Sequence, residues 1–456
     1  MKLNLTTLIF STIGALCILG YAFYNGYPIV YSDTSTYIVS GFELIPPPDR
    51  PILYGLLIRL ISLNGLSLWP VAFTQSLALS YLIYLTIRDF NEFNSSKIFF
   101  IVTIILLTTL TVLPFVSGQI MTDIFTSIAV FCIIHLVCNP KPDRFTTNFL
   151  FVIYFLANAM HLSHLMINTF FLVFILLLKR FFFRKSIIIN FRNILILFVL
   201  TFTGIIAMEP ALAKSRNVFF MGRMAENGIL IDFLKENCGK KQYKLCDCID
   251  SIPRNTNDFL WDKASPVYTR YTRWSGTRDE FGSIIFSTLI RPKYLVRHIA
   301  ESVKSTLKQL RSFNAGDGNG PFVENTLLYE RINIYFQGEA LEYSGSRQSR
   351  GLLNGMELRP LNIIYRITII LSLSIILIIF LTGRIRNHIP ALKKFNAILL
   401  LVAVFLNSFV NSSLVMVTDR FGAKMIWLIP FVLMFLLWKI DFSLLFRNDN
   451  PNCKST

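Results

Sequence analysis

Residues 5–60 read LTTLIFSTIGALCILGYAFYNGYPIVYSDTSTYIVSGFELIPPPDRPILYGLLIRL, an apolar run followed by a stretch that mixes acids, bases, prolines and aromatic residues. The apolar run, 5–23, has about the length that a membrane crossing requires, and no small-residue cleavage site follows it. We therefore expect an uncleaved first transmembrane helix. The mixed stretch, 26–60, begins just beyond that helix, where a membrane protein keeps water-facing carboxylates.

Long apolar runs separated by short polar loops continue along the rest of the chain. The 456 residues are 53% hydrophobic and only 16% charged, which is too apolar for an ordinary soluble domain. We predict an all-α polytopic membrane protein with about 10–11 transmembrane helices. The candidate spans are 5–23, 68–87, 98–113, 120–137, 149–160, 165–178, 194–208, 362–381, 395–414 and 425–437. A shorter apolar segment, 51–61, fits a re-entrant or interfacial helix.

The formal charge of +17 reflects Lys and Arg residues that gather in short loops between the spans. Such residues set the orientation of a membrane protein, so the charge does not indicate nucleic acid as a partner. Their pattern places both termini in the cytoplasm, and we expect a bacterial inner (plasma) membrane protein. The loop 24–60 and the turns at 114–119, 161–164 and 418–424 then face the extracytoplasmic side.

This topology divides the chain into four parts. We predict an N-terminal transmembrane catalytic core (1–208) that includes the first outer loop, and an extracytoplasmic soluble insert of mixed helices (209–361). C-terminal transmembrane helices (362–441) and a cytoplasmic tail (442–456) complete the chain.

Two features of the insert lead to further expectations. Residues 292–313 have apolar positions at helical spacing with basic residues between them, which indicates an amphipathic helix. It packs either on the insert's own core, the alternative we favour, or on the membrane surface. On the oxidising side, we expect one disulfide from Cys238 to either Cys246 or Cys248.

Ionisable residues gather at the outer ends of the spans. Charges at a membrane boundary are costly to bury and commonly mark substrate or ion paths. Simpler roles remain open: the acids suit helix caps, the histidines suit interfacial hydrogen bonds, and the last two basic residues suit contacts with headgroups. Arg59 differs in lying inside an apolar run. The candidate residues are Asp33, Arg50, Arg59, Asp123, His161, His164, Arg420 and Lys424.

The motifs SDTSTY and PPPDRPILYGLLIRL, with a second outer acid in SGQIMTD, resemble the first loop of the GT-C superfamily of polytopic glycosyltransferases. The resemblance implies an inverting enzyme that uses a polyprenyl-phosphate-linked sugar donor on the extracytoplasmic face, with a lipid, glycan or protein as acceptor. Asp33 would match the catalytic carboxylate of the family, acting as a general base.

The resemblance also implies roles for the other candidates. Arg50, Arg59 or the pair Arg420 and Lys424 would neutralise the departing phosphate. From their position at the outer ends of the spans, and not from the resemblance, we also expect Asp123, His161 and His164 to contribute to substrate binding. The chain departs from the family where Asp33 lacks a second acid after it and where the next outer loop lacks Asp-x-Asp. A divalent metal is possible in such a site, but without that motif we expect no cofactor.

Two other functions fit a polytopic protein. A transporter or lipid flippase of cell-envelope glycans would show paired repeats and charges near the membrane midplane, whereas this chain has no repeat and its charges lie at one face. A non-catalytic assembly or receptor protein could bind sugar or protein through the aromatic and cationic stretch WDKASPVYTRYTRW in the insert.

Overall fold

The computed structural model describes residues 5–90, 96–139, 143–184, 186–215 and 217–438. Regular structure in these ranges is helical, apart from an isolated parallel bridge between Ile29 and Gln119. The prediction of an all-α chain is therefore confirmed for the ranges described. The predicted tail, 442–456, lies outside them.

The helices in chain order are α1 (Leu5–Ile18), α2 (Gly20–Asn25), α3 (Ser32–Glu43), α4 (Leu53–Ile61), α5 (Trp69–Phe90), α6 (Ser96–Leu110), α7 (Leu113–Gly118), α8 (Ile124–Cys138), α9 (Arg144–Ala159), α10 (Leu162–Phe181), α11 (Phe191–Ser215), α12 (Val218–Glu226), α13 (Ile229–Asn237), α14 (Thr256–Trp261), α15 (Pro266–Thr269), α16 (Arg278–Ile290), α17 (Pro292–Gln309), α18 (Leu327–Tyr335), α19 (Glu339–Ser344), α20 (Arg359–Leu381), α21 (Gly383–His388), α22 (Ala391–Leu414), α23 (Asp419–Ile426) and α24 (Leu428–Leu437). Two 3₁₀ helices cover Lys244–Ser251 and Arg273–Thr277.

Five helical segments in the described ranges are long and apolar enough to cross a membrane: α5, α10, α20, α22 and the continuous α23–α24. Shorter apolar helices are α1, α6, α8 and the part of α11 at Phe191–Gly204. Each predicted span overlaps a helix. The segment 51–61 contains α4, whose nine residues are too few to cross a bilayer.

The main core is built around α8, in which every residue is buried. A helix that is apolar on all sides belongs in the interior of a large bundle, and α5, α9, α11 and α22 surround it. Because α8 lies at the centre, the residues at its N-terminal end are enclosed by the rest of the bundle.

The predicted insert, 209–361, contributes to two hydrophobic cores. Apolar residues from Val218 to Tyr294 form a separate cluster. Residues between Phe313 and Leu358 join the main core instead. Within the separate cluster the disulfide links Cys238 to Cys246, one of the two pairings expected from the sequence, and Cys248 remains a free thiol.

Helix α17 packs against the protein with its mostly polar face, whereas we expected its apolar face to pack on the core of the insert. Its buried residues are Tyr294, His298, Ser305, Thr306 and Gln309. Its exposed apolar residues include Val296, Ile299, Val303 and Leu307. The prediction that its apolar stripe packs on the insert's own core is therefore wrong, because the mostly polar side of the helix makes the contacts with the protein.

Candidate functional site

The segments that precede α3 and α8 lie side by side. The Ile29 N–H donates to the Gly118 carbonyl at 2.9 Å, and the Ile120 N–H donates to the Ile29 carbonyl at 2.8 Å. These bonds bring Asp33, in the first turn of α3, and Asp123, directly before α8, to the same end of the bundle.

The backbone around residues 119–123 is not helical although it is buried in the bundle. Buried carbonyls outside a helix need hydrogen-bond donors, and the Gln75 side chain supplies them. Its Nε2 donates to the carbonyls of Ser117, at 2.7 Å, and Gln119, at 2.5 Å. Gln75 therefore stabilises the irregular segment that carries Asp123.

Helices α3 and α4 approach so closely that both need glycine at the contact. A Cβ atom on Gly41 would lie 2.0 Å from the Gly55 carbonyl oxygen, and one on Gly55 would lie 2.5 Å from the Tyr37 carbonyl oxygen. The proline-rich link between the helices returns Arg50 to the start of α3. There its guanidinium lies over the Tyr37 ring, 5.2 Å from the centroid.

Helix α23 supplies two more cations. Arg420 and Lys424 are four residues apart, so they project from the same face of the helix. The Thr418 side chain caps the helix by accepting from the Phe421 N–H at 3.4 Å. The Arg420 guanidinium also lies over the Tyr31 ring, 4.7 Å from the centroid.

These groups form a chain of alternating charges. The Asp33 Oδ2 atom is 3.1 Å from Arg50 Nη1 and 3.1 Å from Arg420 Nη1. The Asp123 carboxylate is 2.9 Å from Arg420 Nε and 3.7 Å from Lys424 Nζ. The three acids and three bases, whose formal charges cancel, follow one another as Lys424, Asp123, Arg420, Asp33, Arg50 and Asp49.

The inner end of this chain is deeply buried but incompletely hydrogen-bonded. The side chains of Lys424 and Asp123 are 0% and 2% exposed. Arg420 Nε and Lys424 Nζ contact the Asp123 oxygens as ion pairs, without the geometry of hydrogen bonds among the described residues. Because an isolated buried charge is costly, these pairs hold one another in place at the inner end of the site. Asp123 does not cap α8 with its side chain.

Asp33 is the most accessible acid of the site. Its side chain is 26% exposed, and both cations contact the same oxygen, Oδ2. The hydrogen bond from Arg420 and the closest contact of Arg50 both reach Oδ2. Burial alone would raise the pKa of Asp33, but Arg50 and Arg420 hold it below the ordinary value of 3.8. Asp33 is therefore a partly exposed anion at neutral pH.

A small cavity of about 20 Å³, partly open to solvent and with room for roughly one water molecule, lies beside Arg420. Its wall includes a glycine-rich loop, NAGDGNG, in which Asp317 accepts from the Arg420 N–H at 3.1 Å and Asn319 accepts from Gln119 at 2.9 Å. Gly318 has a φ of +69°, and a Cβ atom there would lie 2.0 Å from the Tyr31 ring. This loop is not among the site residues predicted from the sequence, although its glycine spacing indicates a tight turn.

The two histidines have different environments. His164 is buried, and its ring nitrogens contact the Thr126 hydroxyl at 2.8 Å and the Ala157 carbonyl at 2.6 Å, which joins α8, α9 and α10. His161 caps α10 by accepting from the Ser163 N–H. Burial and the positive charge of Lys424 lower the pKa of His161 well below its ordinary value of 6.5. His161 is therefore neutral at neutral pH, and its Nδ1 atom accepts from the Ser163 N–H.

The structure does not bring Arg59 to this site. Its guanidinium contacts Asn64 Oδ1 at 2.9 Å and the carbonyls of Gly41 and Phe42 at the C-terminal part of α3. Gly41 is eight residues from Asp33, or roughly 12 Å along the helix axis. The described residues also contain no group of three or more His, Cys, Asp or Glu side chains placed to hold a metal ion.

Comparisons of the chain with protein-family models, with curated proteins and with solved structures found no match.

Proposed function

We propose that the protein is an inverting glycosyltransferase that uses a polyprenyl-phosphate-linked sugar. In this proposal about ten helices cross a bacterial inner membrane, both termini are cytoplasmic, and the site opens on the extracytoplasmic side. The observation that carries the proposal is the partly exposed Asp33 carboxylate, whose Oδ2 atom lies 3.1 Å from each of two arginines. A base next to paired cations suits transfer from a donor whose leaving group is a phosphate.

The arginines are placed to bind the donor phosphate beside the base. Arginine binds phosphate through paired, charge-assisted hydrogen bonds. Arg50 and Arg420 lie on either side of Asp33, so a phosphate that contacts both is held within a few ångströms of the carboxylate. Lys424 and the N-terminus of α8 add positive potential behind Arg420.

The reaction that follows from this arrangement is a single displacement. Asp33 takes the proton of the acceptor hydroxyl while the acceptor oxygen bonds to the anomeric carbon. The bond from that carbon to the phosphate oxygen breaks, and the lipid phosphate leaves with both bonding electrons. Donor binding also draws Arg50 and Arg420 from Asp33 towards the phosphate, so the pKa of Asp33 rises and the carboxylate becomes a better base when the site is loaded.

Two cavities lie on either side of helix α7, because Pro114 lines one and Phe115 lines the other. The polar cavity beside Arg420 holds only about 20 Å³, so a sugar unit does not fit there unless the cavity widens. The other cavity, of about 570 Å³, has a mixed lining that includes Tyr21, Leu361, Arg347 and Glu357, and it has room for part of a lipid chain.

The test is glycosyl transfer from a radiolabelled polyprenyl-phosphate sugar by the protein in lipid vesicles. Asp33→Asn is expected to lower the transfer rate by about 10²–10⁴-fold, the usual contribution of a general base, with expression and membrane insertion unchanged. Glu43→Gln is the matched control, since Glu43 is an exposed acid at the other end of the same helix. Full activity of Asp33→Asn would refute the assignment of the base.

A further inference from the structure

The α16–α17 helix pair exposes a continuous apolar surface outside the candidate membrane spans. On α17 the exposed stripe consists of Val296, Ile299, Val303 and Leu307, each more than half exposed. These positions are three or four residues apart, so they fall on one line along the helix. The end of α16 extends the surface with Phe286, Leu289 and Ile290, which are 64%, 40% and 61% exposed.

Basic residues border one side of this stripe. With successive positions about 100° apart, Lys293, Arg297, Lys304 and Lys308 fall between the apolar stripe and the buried face of α17. The helix contains a single acid, Glu301, which pairs with Lys304. Lys293 also pairs with Glu236 and Arg297 with Asp232, so three of the four basic residues lie beside an acid and the border keeps a net charge of about +1. The exposed side of α17 is thus apolar along one line and polar, with a small positive excess, along the next, which is the pattern of helices that lie in a membrane interface.

The position of α17 in the fold places it beside the helical bundle. It packs against the candidate span α22, where the Thr306 and Ser412 hydroxyls are 3.4 Å apart. At its C-terminal end the Gln309 side chain donates to the Thr418 carbonyl at 2.7 Å and accepts from the Thr418 N–H at 3.1 Å. Because Thr418 begins the helix that carries Arg420 and Lys424, α17 ends at the level of the charged site.

We propose that the α16–α17 surface docks on the outer leaflet of the membrane, with its apolar stripe among the acyl chains and its lysines on anionic lipid phosphates. The position of the stripe beside the candidate span α22 selects this occupant, and the remaining positive charge of the border fits negatively charged headgroups. The docking orients the insert next to the site through the contact of Gln309 with Thr418. The inference rests on insertion of the bundle in a membrane, and it holds whatever reaction the site performs.

The experiment uses the full chain in nanodiscs of phosphatidylglycerol and phosphatidylcholine, with an encoded photo-crosslinking residue at position 303. The control on the same helix carries it at position 302, because Ser302 is half-buried and lies one turn before Thr306 on the side that meets α22. A third variant carries it at position 367, on the candidate span α20, where Ile367 is 51% exposed. We expect about tenfold more lipid adduct at position 303 than at position 302, and a strong adduct at position 367.

The outcomes separate this proposal from the proposed function. Three outcomes would each overturn membrane docking of α17 alone. They are adduct at position 367 but not at position 303, equal adduct at positions 303 and 302, and cross-linking of position 303 to protein. Absence of lipid adduct at both 303 and 367 would overturn membrane insertion as well. Lys304→Gln is expected to lower the ratio of phosphatidylglycerol to phosphatidylcholine adducts at position 303 about fivefold, and an unchanged ratio would contradict the role of the basic border.

Discussion

Removal of the Asp123 charge is expected to destabilise the protein strongly. Asp123 is 2% exposed and is the counter-charge of Lys424, which is 0% exposed and 3.7 Å away. Asp123→Asn preserves the size of the side chain but leaves the buried ammonium group without a neighbouring carboxylate. Arg420 is affected less, because it keeps its contact with Asp33.

The size of the effect follows from the geometry. Two unit charges 3.7 Å apart interact by about 4 kcal/mol at an effective dielectric constant near 20. Breaking a buried pair by removing one partner typically costs about 3–5 kcal/mol, so both estimates agree. The loss is expected as a lower midpoint of thermal unfolding of the purified protein in nanodiscs, followed by tryptophan fluorescence.

A second substitution separates lost charge pairing from a general defect. Adding Lys424→Met to Asp123→Asn removes the stranded charge, so the double variant is expected to be more stable than Asp123→Asn alone, with a coupling energy of roughly 1–3 kcal/mol. Glu357→Gln, at an exposed acid, is the control and should keep the wild-type midpoint. An unchanged midpoint in Asp123→Asn, or no recovery in the double variant, would refute the reasoning.

Three further predictions concern the rest of the fold. Gly55→Ala is expected to destabilise the protein by about 1–3 kcal/mol, seen in its thermal midpoint, because the added Cβ would meet a backbone carbonyl at 2.5 Å. Cys238→Ser removes the disulfide to Cys246 and is expected to cost about 2–3 kcal/mol, seen as faster proteolysis of the insert. The pKa of Asp33 is lower in the folded protein than its ordinary value of 3.8, so the ionised carboxylate stabilises the fold at pH values above 3.8. This stabilisation is lost as the pH falls through the folded-state pKa. The difference in thermal midpoint between the wild type and Asp33→Asn should therefore become smaller in acid.

Each of these predictions has a matched control. Gly355→Ala adds a Cβ that meets no atom within 4 Å, and an equal loss there would show that the close helix contact is not the cause. Cys248→Ser removes a free thiol and should leave proteolysis unchanged. For Glu43→Gln, the difference in thermal midpoint from the wild type should not change with pH in the range where Asp33 titrates. If that difference also became smaller in acid, Asp33 would not be the cause of the pH dependence.

The sequence predicted the helices and part of the site because both depend on local patterns. Apolar runs of membrane-crossing length marked the helices, and the ends of those runs marked where polar groups collect. Asp33, Arg50, Asp123, Arg420 and Lys424 do come together in the structure. These residues share one end of the bundle because successive helices cross it in alternating directions. The hydropathy pattern predicts that alternation.

Other features depend on contacts between distant residues. Asp317 reaches the site because a loop from the insert returns to the bundle and accepts from the Arg420 N–H, a pairing 103 residues apart in the chain. Arg59 lies apart because α4 runs back along α3, away from Asp33. The prediction that α17 is an amphipathic helix was correct. Which of its faces contacts the protein depends on its packing against α22, and the local sequence of α17 does not predict that packing.

The most direct test of the proposed function is native mass spectrometry of lipids that co-purify with the protein. The account predicts a polyprenyl-phosphate sugar bound to the wild type, with at least about a tenfold loss of occupancy in Arg420→Gln, since this guanidinium would hold the phosphate. Arg88→Gln removes an arginine that pairs with Asp89 outside the site, and it should keep the lipid. Equal occupancy in wild type and Arg420→Gln, or purification of the wild type with no polyprenyl phosphate, would contradict the account.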